Sequence, residues 1–139
     1  AKYRCVLAKF RDDKLDFSKK VKVALTQPLS TCGFLMSSVL LKEKFGVDLK
    51  DEYYDYTMSH TNALSAILEG RFLIAGAKES IAKKFKSLGV DIIAKSRLLP
   101  GFTIVVNEKT MSKKEIELFQ NTILSLSQKE LEDIGGIVS

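Results

Sequence analysis

The sequence predicts an α/β fold, a three-layer sandwich in which helices cover both faces of a mainly parallel sheet. Short apolar runs of strand length alternate with longer helical segments at least three times along the chain. The runs at residues 21–25 and 72–77 show little alternation in polarity, as is typical of strands buried on both faces. A chain of 139 residues, 45% of them hydrophobic, fits one domain with an ordinary core.

The individual elements follow from polarity patterns and from residues that start or stop helices. Short runs that are apolar or alternate in polarity predict strands at residues 3–10, 21–25, 52–58, 72–77, 91–94 and 102–106. Longer segments between helix-capping residues and glycines predict helices at residues 33–44, 62–69, 80–88 and 113–126. Ser30 or Thr31 caps the first helix, and a cluster that begins at Ser59 caps the second. One more helical turn is expected within residues 128–139.

The composition narrows the possible function classes. The formal net charge is +5, and the lysines are spread along the chain without forming a basic tail. Nucleic acid is not an expected partner, because no nucleic-acid-binding motif accompanies this charge. The single histidine and the spacing of Cys5 and Cys32 fit no metal site, and a disulfide between the cysteines stays open. We therefore expect neither a metal nor a cofactor.

The strongest candidate site is the loop that leads from a strand into a helix at residues 26–33. The first turn of a helix leaves backbone N–H groups without acceptors and carries partial positive charge. Ser30, Thr31 and Gly33 supply hydroxyl groups and a small residue there, which is what a cradle for an oxyanion needs. The alternative is plain helix capping, which the spacing alone favours.

Two other segments carry polar side chains at comparable positions. Ser59 and His60 also lie between a strand and a helix, and parallel strands would bring this loop and the first to the same edge of the sheet. His60 could donate a hydrogen bond to an oxyanion, or it could be a simple capping residue. Arg97, beside a Leu-Leu-Pro turn, could bind an acidic group or lie on the surface.

Four segments occur in an order that matches a known family. Residues 23–35 read VALTQPLSTCGFL, residues 59–70 carry Ser-His before an alanine-containing helix, residues 75–77 read AGA, and residues 96–106 hold a Pro-Gly return. Together they span about residues 21–126 and resemble the phosphonate-type substrate-binding proteins of ABC transporters, within the type 2 periplasmic binding proteins. The resemblance implies a binding module for a phosphonate- or phosphate-like anion, and not an enzyme.

The resemblance also implies which residues bind the ligand. The family grips the phosphonate oxygens with a Ser-Thr-Ser run, and Cys32 replaces the third hydroxyl here. Thr61 stands where the family has an aspartate after the histidine. The family also has an acidic residue in the strand before Ala-Gly, which is missing here, and Glu79 is a candidate substitute for it. The implied ligand-binding residues are Ser30, Thr31, Cys32, Gly33, Ser59 and His60.

The resemblance implies one lobe of a two-lobed protein. Within a single domain at residues 1–139, residues 1–20 would hold a crossover strand and turn, residues 21–101 the ligand-binding lobe, and residues 102–139 the return strand and C-terminal helix. The expected partners are a small anion, the missing first lobe, and a membrane permease or receptor, or a second copy of the chain. The expected location is periplasmic or extracytoplasmic and membrane-associated, although no signal peptide is found and the abrupt start suggests a fragment.

Two alternatives remain open from the sequence. The same fold could serve as the periplasmic ligand-sensing domain of a signalling receptor. Alternatively, Cys32 near a helix start could act as a nucleophile with His60 as its base, although no third residue that would orient the histidine is found.

Overall fold

A computed structural model describes residues 2–101, 104–127 and 129–130. The chain divides into two compact units: Tyr3–Leu99 forms one, and Ala1–Lys2 with Pro100–Ser139 forms the other. The larger unit contains the main sheet and all of the candidate site residues.

Within the described residues, seven strands form one main sheet and one small pair. In chain order they are β1 (Lys2–Tyr3), β2 (Cys5–Phe10), β3 (Lys22–Leu25), β4 (Tyr53–Tyr56), β5 (Ile74–Lys78), β6 (Val90–Lys95) and β7 (Leu99–Pro100). The main sheet has the order β4-β3-β5-β2-β6, while β1 pairs with β7. Strand β3 is parallel to β4 and β5, and β2 is antiparallel to β5 and β6. Four of the five strands therefore run in one direction, and the sheet is mixed because strand β2 runs against its two neighbours. The predicted α/β fold class is confirmed.

Helices pack on both faces of this sheet, as predicted. The helical elements are a π-helical turn (Thr31–Leu35), α1 (Met36–Phe45), 3-10 turns (Leu49–Asp51 and Lys86–Leu88), α2 (His60–Leu68), α3 (Glu79–Lys84) and α4 (Lys113–Ser125). Helix α1 buries Leu40 and Leu41 in a core on one face, and α2 buries Leu64 and Ile67 in a core on the other. Burial of each such side chain stabilises the fold by about 2 kcal/mol.

Three element predictions differ from the structure. The predicted strand at residues 3–10 is interrupted at Arg4, which separates β1 from β2. The predicted strand at residues 102–106 is wrong at residues 104–106, which pair with no other strand among the described residues, while Phe102 and Thr103 lie outside the described residues. The helical turn expected within residues 128–139 lies outside them as well, except for the helical Lys129 and Glu130.

Candidate functional site

The two loops that carry the candidate residues lie side by side at one edge of the sheet. Because β3 and β4 are parallel, the loops that follow them both begin at the carboxyl edge. The loops are joined by backbone hydrogen bonds, since the Met58 N–H donates to the Thr26 carbonyl at 2.9 Å and the Thr57 N–H donates to the Leu25 carbonyl at 2.8 Å. The structure thus places the helix starts at Thr31 and at His60 on the same edge.

The first helix start is a π-helical turn capped by Ser30. The Ser30 hydroxyl accepts a hydrogen bond from the Gly33 N–H at 3.0 Å, and the Ser30 carbonyl accepts from the N–H groups of Phe34 and Leu35, each at 3.1 Å. Within the described part of the chain, no group accepts a hydrogen bond from the N–H of Thr31 or Cys32. These two N–H groups and the exposed Thr31 side chain can serve as hydrogen-bond donors to an anion.

Gly33 lets this turn lie directly on the end of β3. A Cβ atom at Gly33 would come within 1.8 Å of the Thr26 hydroxyl oxygen. The backbone of Thr26 also holds the turn, because its N–H donates to the Gly33 carbonyl at 3.2 Å. The Thr26 hydroxyl is buried and has no hydrogen-bond partner among the described residues. A residue larger than glycine would therefore push the turn away from the strand.

A disulfide between Cys5 and Cys32 ties the turn to the first residue of β2. Both cysteines are almost completely buried, and the Cys32 carbonyl accepts a hydrogen bond from the Ser37 hydroxyl at 2.7 Å. A disulfide-bonded cysteine offers neither a thiol donor nor a thiolate nucleophile. The side chain of Cys32 therefore cannot replace the third family hydroxyl as a donor, and the alternative of a Cys32 nucleophile is contradicted. The backbone N–H of Cys32 remains as a donor that can contact a ligand.

The second helix start places His60 at the same edge of the sheet. The Ser59 hydroxyl caps α2 by accepting a hydrogen bond from the Asn62 N–H at 3.1 Å. His60 is partly buried, and its Nδ1 atom is buried without a hydrogen-bond partner in the described residues. Burial lowers the pKa of His60, and the charge of Lys78 lowers it further. Hydrogen bonding to the Gly76 backbone raises the pKa and so partly offsets both effects. The imidazole is therefore neutral near pH 7.

The lowered pKa of His60 predicts that stability falls in mild acid. The unfolded chain binds a proton near pH 6.5 and the folded chain does so only at lower pH, so folding is opposed as the pH falls below about 6.5. We expect the melting temperature without ligand to be steady above this value and to decrease below it. Replacing His60 with Gln should flatten the decrease between pH 7 and 5. An equal decrease in both proteins would show that other groups cause it.

The third candidate segment has a structural role. The Ser96 hydroxyl is buried and accepts a hydrogen bond from the Cys5 N–H at 3.0 Å, while the Ser96 carbonyl accepts from the Arg4 guanidinium at 2.7 Å. Ser96 thereby holds the start of β2 in place. The Arg97 side chain is exposed, which agrees with its surface interpretation.

Glu79, the candidate substitute for a family carboxylate, is occupied elsewhere. Its carboxylate forms ion pairs with Lys95 at 3.0 Å and with Lys83 at 3.3 Å. The hydrogen bond from Lys95 is the main cause of the lowered pKa of Glu79. This carboxylate is therefore not free to neutralise an ammonium group on a ligand.

The comparisons with known proteins decide the family. The sequence profile of the ABC transporter phosphonate periplasmic substrate-binding proteins matches residues 1–137. The chain belongs to this family. Its members are periplasmic substrate-binding proteins of transporters. This class of protein is not a class of enzymes. A search of curated proteins finds no match.

Solved structures show the same fold at low identity. The binding-protein component of a phosphonate ABC transporter from Pseudomonas aeruginosa is 18% identical with a TM-score of 0.59, and the alignment covers 86% of this chain and 44% of that one. PhnD1 from Prochlorococcus marinus, solved with methylphosphonate, is 12% identical with a TM-score of 0.56, and the alignment covers 70% of this chain and 42% of PhnD1. A Xanthomonas citri protein bound to chloride is 12% identical with a TM-score of 0.57, and the alignment covers 71% of this chain and 43% of that protein. The chain thus spans less than half the length of these three proteins.

Two further observations concern metals and membranes. Within the described residues, no group of three or more histidine, cysteine or acidic side chains could hold a metal ion. None of the helices described here has the length and apolar character needed to cross a bilayer.

Proposed function

We propose that this chain is the ligand-gripping lobe of a solute-binding protein that delivers a small phosphorus oxyanion to an ABC permease. The main support for the proposal is that two helices begin at the same edge of the sheet, one at Thr31 and one at His60. The phosphonate-binding family of the chain supplies the ligand class. The methylphosphonate bound to the Prochlorococcus relative is a ligand of this class and is therefore the first probe.

The chemistry of the site suits a phosphonate or phosphate group. The N–H groups of Thr31 and Cys32 would bind two oxygens at the positive end of one helix, and the Thr31 hydroxyl would add a third donor. His60 begins the second helix, and the single N–H of its neutral ring could donate to the ligand in place of the Gly76 backbone. Ser30, Gly33 and Ser59 would act indirectly, because they shape the two turns.

A second lobe would complete the site. The aligned relatives are more than twice as long as the segment that this chain matches. The ligand would lie between this lobe, residues 21–101, and a first lobe. Residues 1–20 and 102–139 would connect the two lobes. Closure of the two lobes would exclude water and strengthen each contact. A buried disulfide between Cys5 and Cys32 suits an oxidising compartment, which supports a periplasmic location.

The proposal is tested by thermal melting with millimolar methylphosphonate, phosphate, sulfate and acetate. A ligand that binds only the folded state raises its stability by about 2.7 kcal/mol at a concentration 100 times its Kd. We expect phosphorus oxyanions to raise the melting temperature more than sulfate or acetate does. The experiment is repeated with the chain joined to its first lobe. No shift with any anion in either form would contradict the proposal.

Replacing Thr31 with Ala should weaken binding of methylphosphonate by about 1–3 kcal/mol, because a hydrogen bond to a charged oxygen is lost. Isothermal titration calorimetry measures the change. Thr122→Ala is a matched control, since it removes an exposed helical hydroxyl that donates to the Leu118 carbonyl. An unchanged Kd for Thr31→Ala would show that the Thr31 side chain does not contact the ligand.

A further inference from the structure

Lys78 lies beside the candidate site although the motifs of the sequence do not include it. It is the last residue of β5, and its Cα partner on β2 is Cys5, whose disulfide partner lies in the anion-binding turn. Gly76, two residues earlier, faces Ser37 of α1 and the end of that turn, because a Cβ atom there would lie 1.9 Å from the Ser37 hydroxyl oxygen and 3.3 Å from the Cys32 carbonyl. Residues two apart on a strand share a face, so Lys78 projects from the same face of the sheet.

The ammonium group of Lys78 is held in place without a carboxylate. It lies 5.4 Å from the centre of the Tyr3 ring, and the residue is partly buried. Lys78 forms no ion pair with any acidic group of the described residues, and the adjacent Glu79 is bound to Lys83 and Lys95. Although Lys78 caps α3, its side chain makes no capping hydrogen bond. Its positive charge is therefore available to a ligand.

We propose that Lys78 is an additional anion-binding residue that makes the site select a fully anionic phosphonate or phosphate over a ligand that also carries an ammonium group. This inference rests on the proposed function, and it names the ligand class of the same site. A positive side chain at a site edge attracts the oxyanion and repels a cation on the rest of the ligand.

Two neighbouring groups support this selectivity. Lys78 ends β5 and His60 follows β4, and β5 and β4 are both parallel to β3, so the two residues lie at the same edge of the sheet. Glu79, the residue next to Lys78, does not offer a free carboxylate to a ligand ammonium, because Lys83 and Lys95 already neutralise it. A ligand ammonium placed here would meet a lysine and a neutral histidine.

The test compares ethylphosphonate with 2-aminoethylphosphonate, which differ only in an ammonium group. Calorimetric Kd values are measured for the full chain and for Lys78→Gln, Lys78→Arg and Lys44→Gln. Lys44→Gln is the matched control, because Lys44 is an exposed lysine in the last turn of α1, at the opposite end of that helix from the site. Circular dichroism and melting of each variant confirm that it is folded.

We expect the unmodified protein to bind ethylphosphonate at least about tenfold more tightly than 2-aminoethylphosphonate. Lys78→Gln should weaken ethylphosphonate binding about tenfold and reduce the preference, whereas Lys78→Arg and Lys44→Gln should retain both. Equal affinities for the two ligands, or equal effects of Lys78→Gln and Lys44→Gln, would overturn this inference and leave the proposed function standing. Binding of neither ligand by the unmodified protein would overturn both.

Discussion

Loss of the disulfide between Cys5 and Cys32 is expected to lower the free energy of unfolding by about 3–4 kcal/mol. The cross-link joins residues 27 positions apart, and closing a loop of this length restricts the unfolded chain by about that amount. The double variant Cys5→Ala with Cys32→Ala is compared with the oxidised protein by denaturant unfolding. Reduction of the unmodified protein is the control that changes no residue, and it should reproduce most of the loss.

The same change should weaken ligand binding even where the protein stays folded. The disulfide and the Thr26 backbone are two of the attachments that hold the turn against the sheet, so its loss lets the N–H groups of Thr31 and Cys32 move apart. We expect about a tenfold weaker Kd for methylphosphonate at a temperature well below the melting transition. A lower stability with an unchanged Kd would mean that the disulfide serves the fold alone.

Substitution of Gly33 by Ala should have the largest effect on the site itself. The added methyl carbon would lie 1.8 Å from the Thr26 hydroxyl oxygen and 2.6 Å from its Cβ and Cγ2 atoms. The turn must then leave the end of β3, which breaks the hydrogen bond from the Thr26 N–H to the Gly33 carbonyl. We expect a loss of about 3 kcal/mol in stability and no measurable binding of methylphosphonate.

Gly70→Ala separates this steric effect from the general cost of replacing a glycine. Gly70 has a φ of +70° and no atom near its added methyl group, so the substitution should cost about 1 kcal/mol and leave binding intact. Thr26→Gly combined with Gly33→Ala should restore part of the binding, because it removes the obstructing side chain. Normal binding by Gly33→Ala alone would show that the turn is not packed as described.

The sheet, its helices and the common edge of the two loops could all be predicted from local patterns. The apolar run at residues 21–25 and the capping residues Ser30 and Ser59 were sufficient, because strand polarity and helix caps depend on near neighbours. The family resemblance added the order of the motifs. Together they predict helices that begin at about residues 33 and 62, within two residues of the observed starts at Thr31 and His60.

The remaining features depend on contacts between residues that are distant in the sequence. Pairing of Cys5 with Cys32 requires that β2 start beside the turn, which only the strand order establishes. Lys78 gave no motif signal, although its place at the end of a buried strand could have suggested a site-edge residue. The predicted strand through Val105 is wrong because an apolar pattern cannot supply a neighbouring strand, and this side chain is 84% exposed.

The most direct test of the anion site is an amide NMR titration of the chain, alone and joined to its first lobe, with methylphosphonate. We predict that the largest shifts on binding belong to the N–H groups of Thr31, Cys32 and His60. Largest shifts in the groove between α3 and β6, where Lys83, Lys86 and Lys95 offer the competing basic surface, would contradict that placement. The absence of shifts in both forms at saturating concentrations would contradict phosphorus oxyanion binding itself.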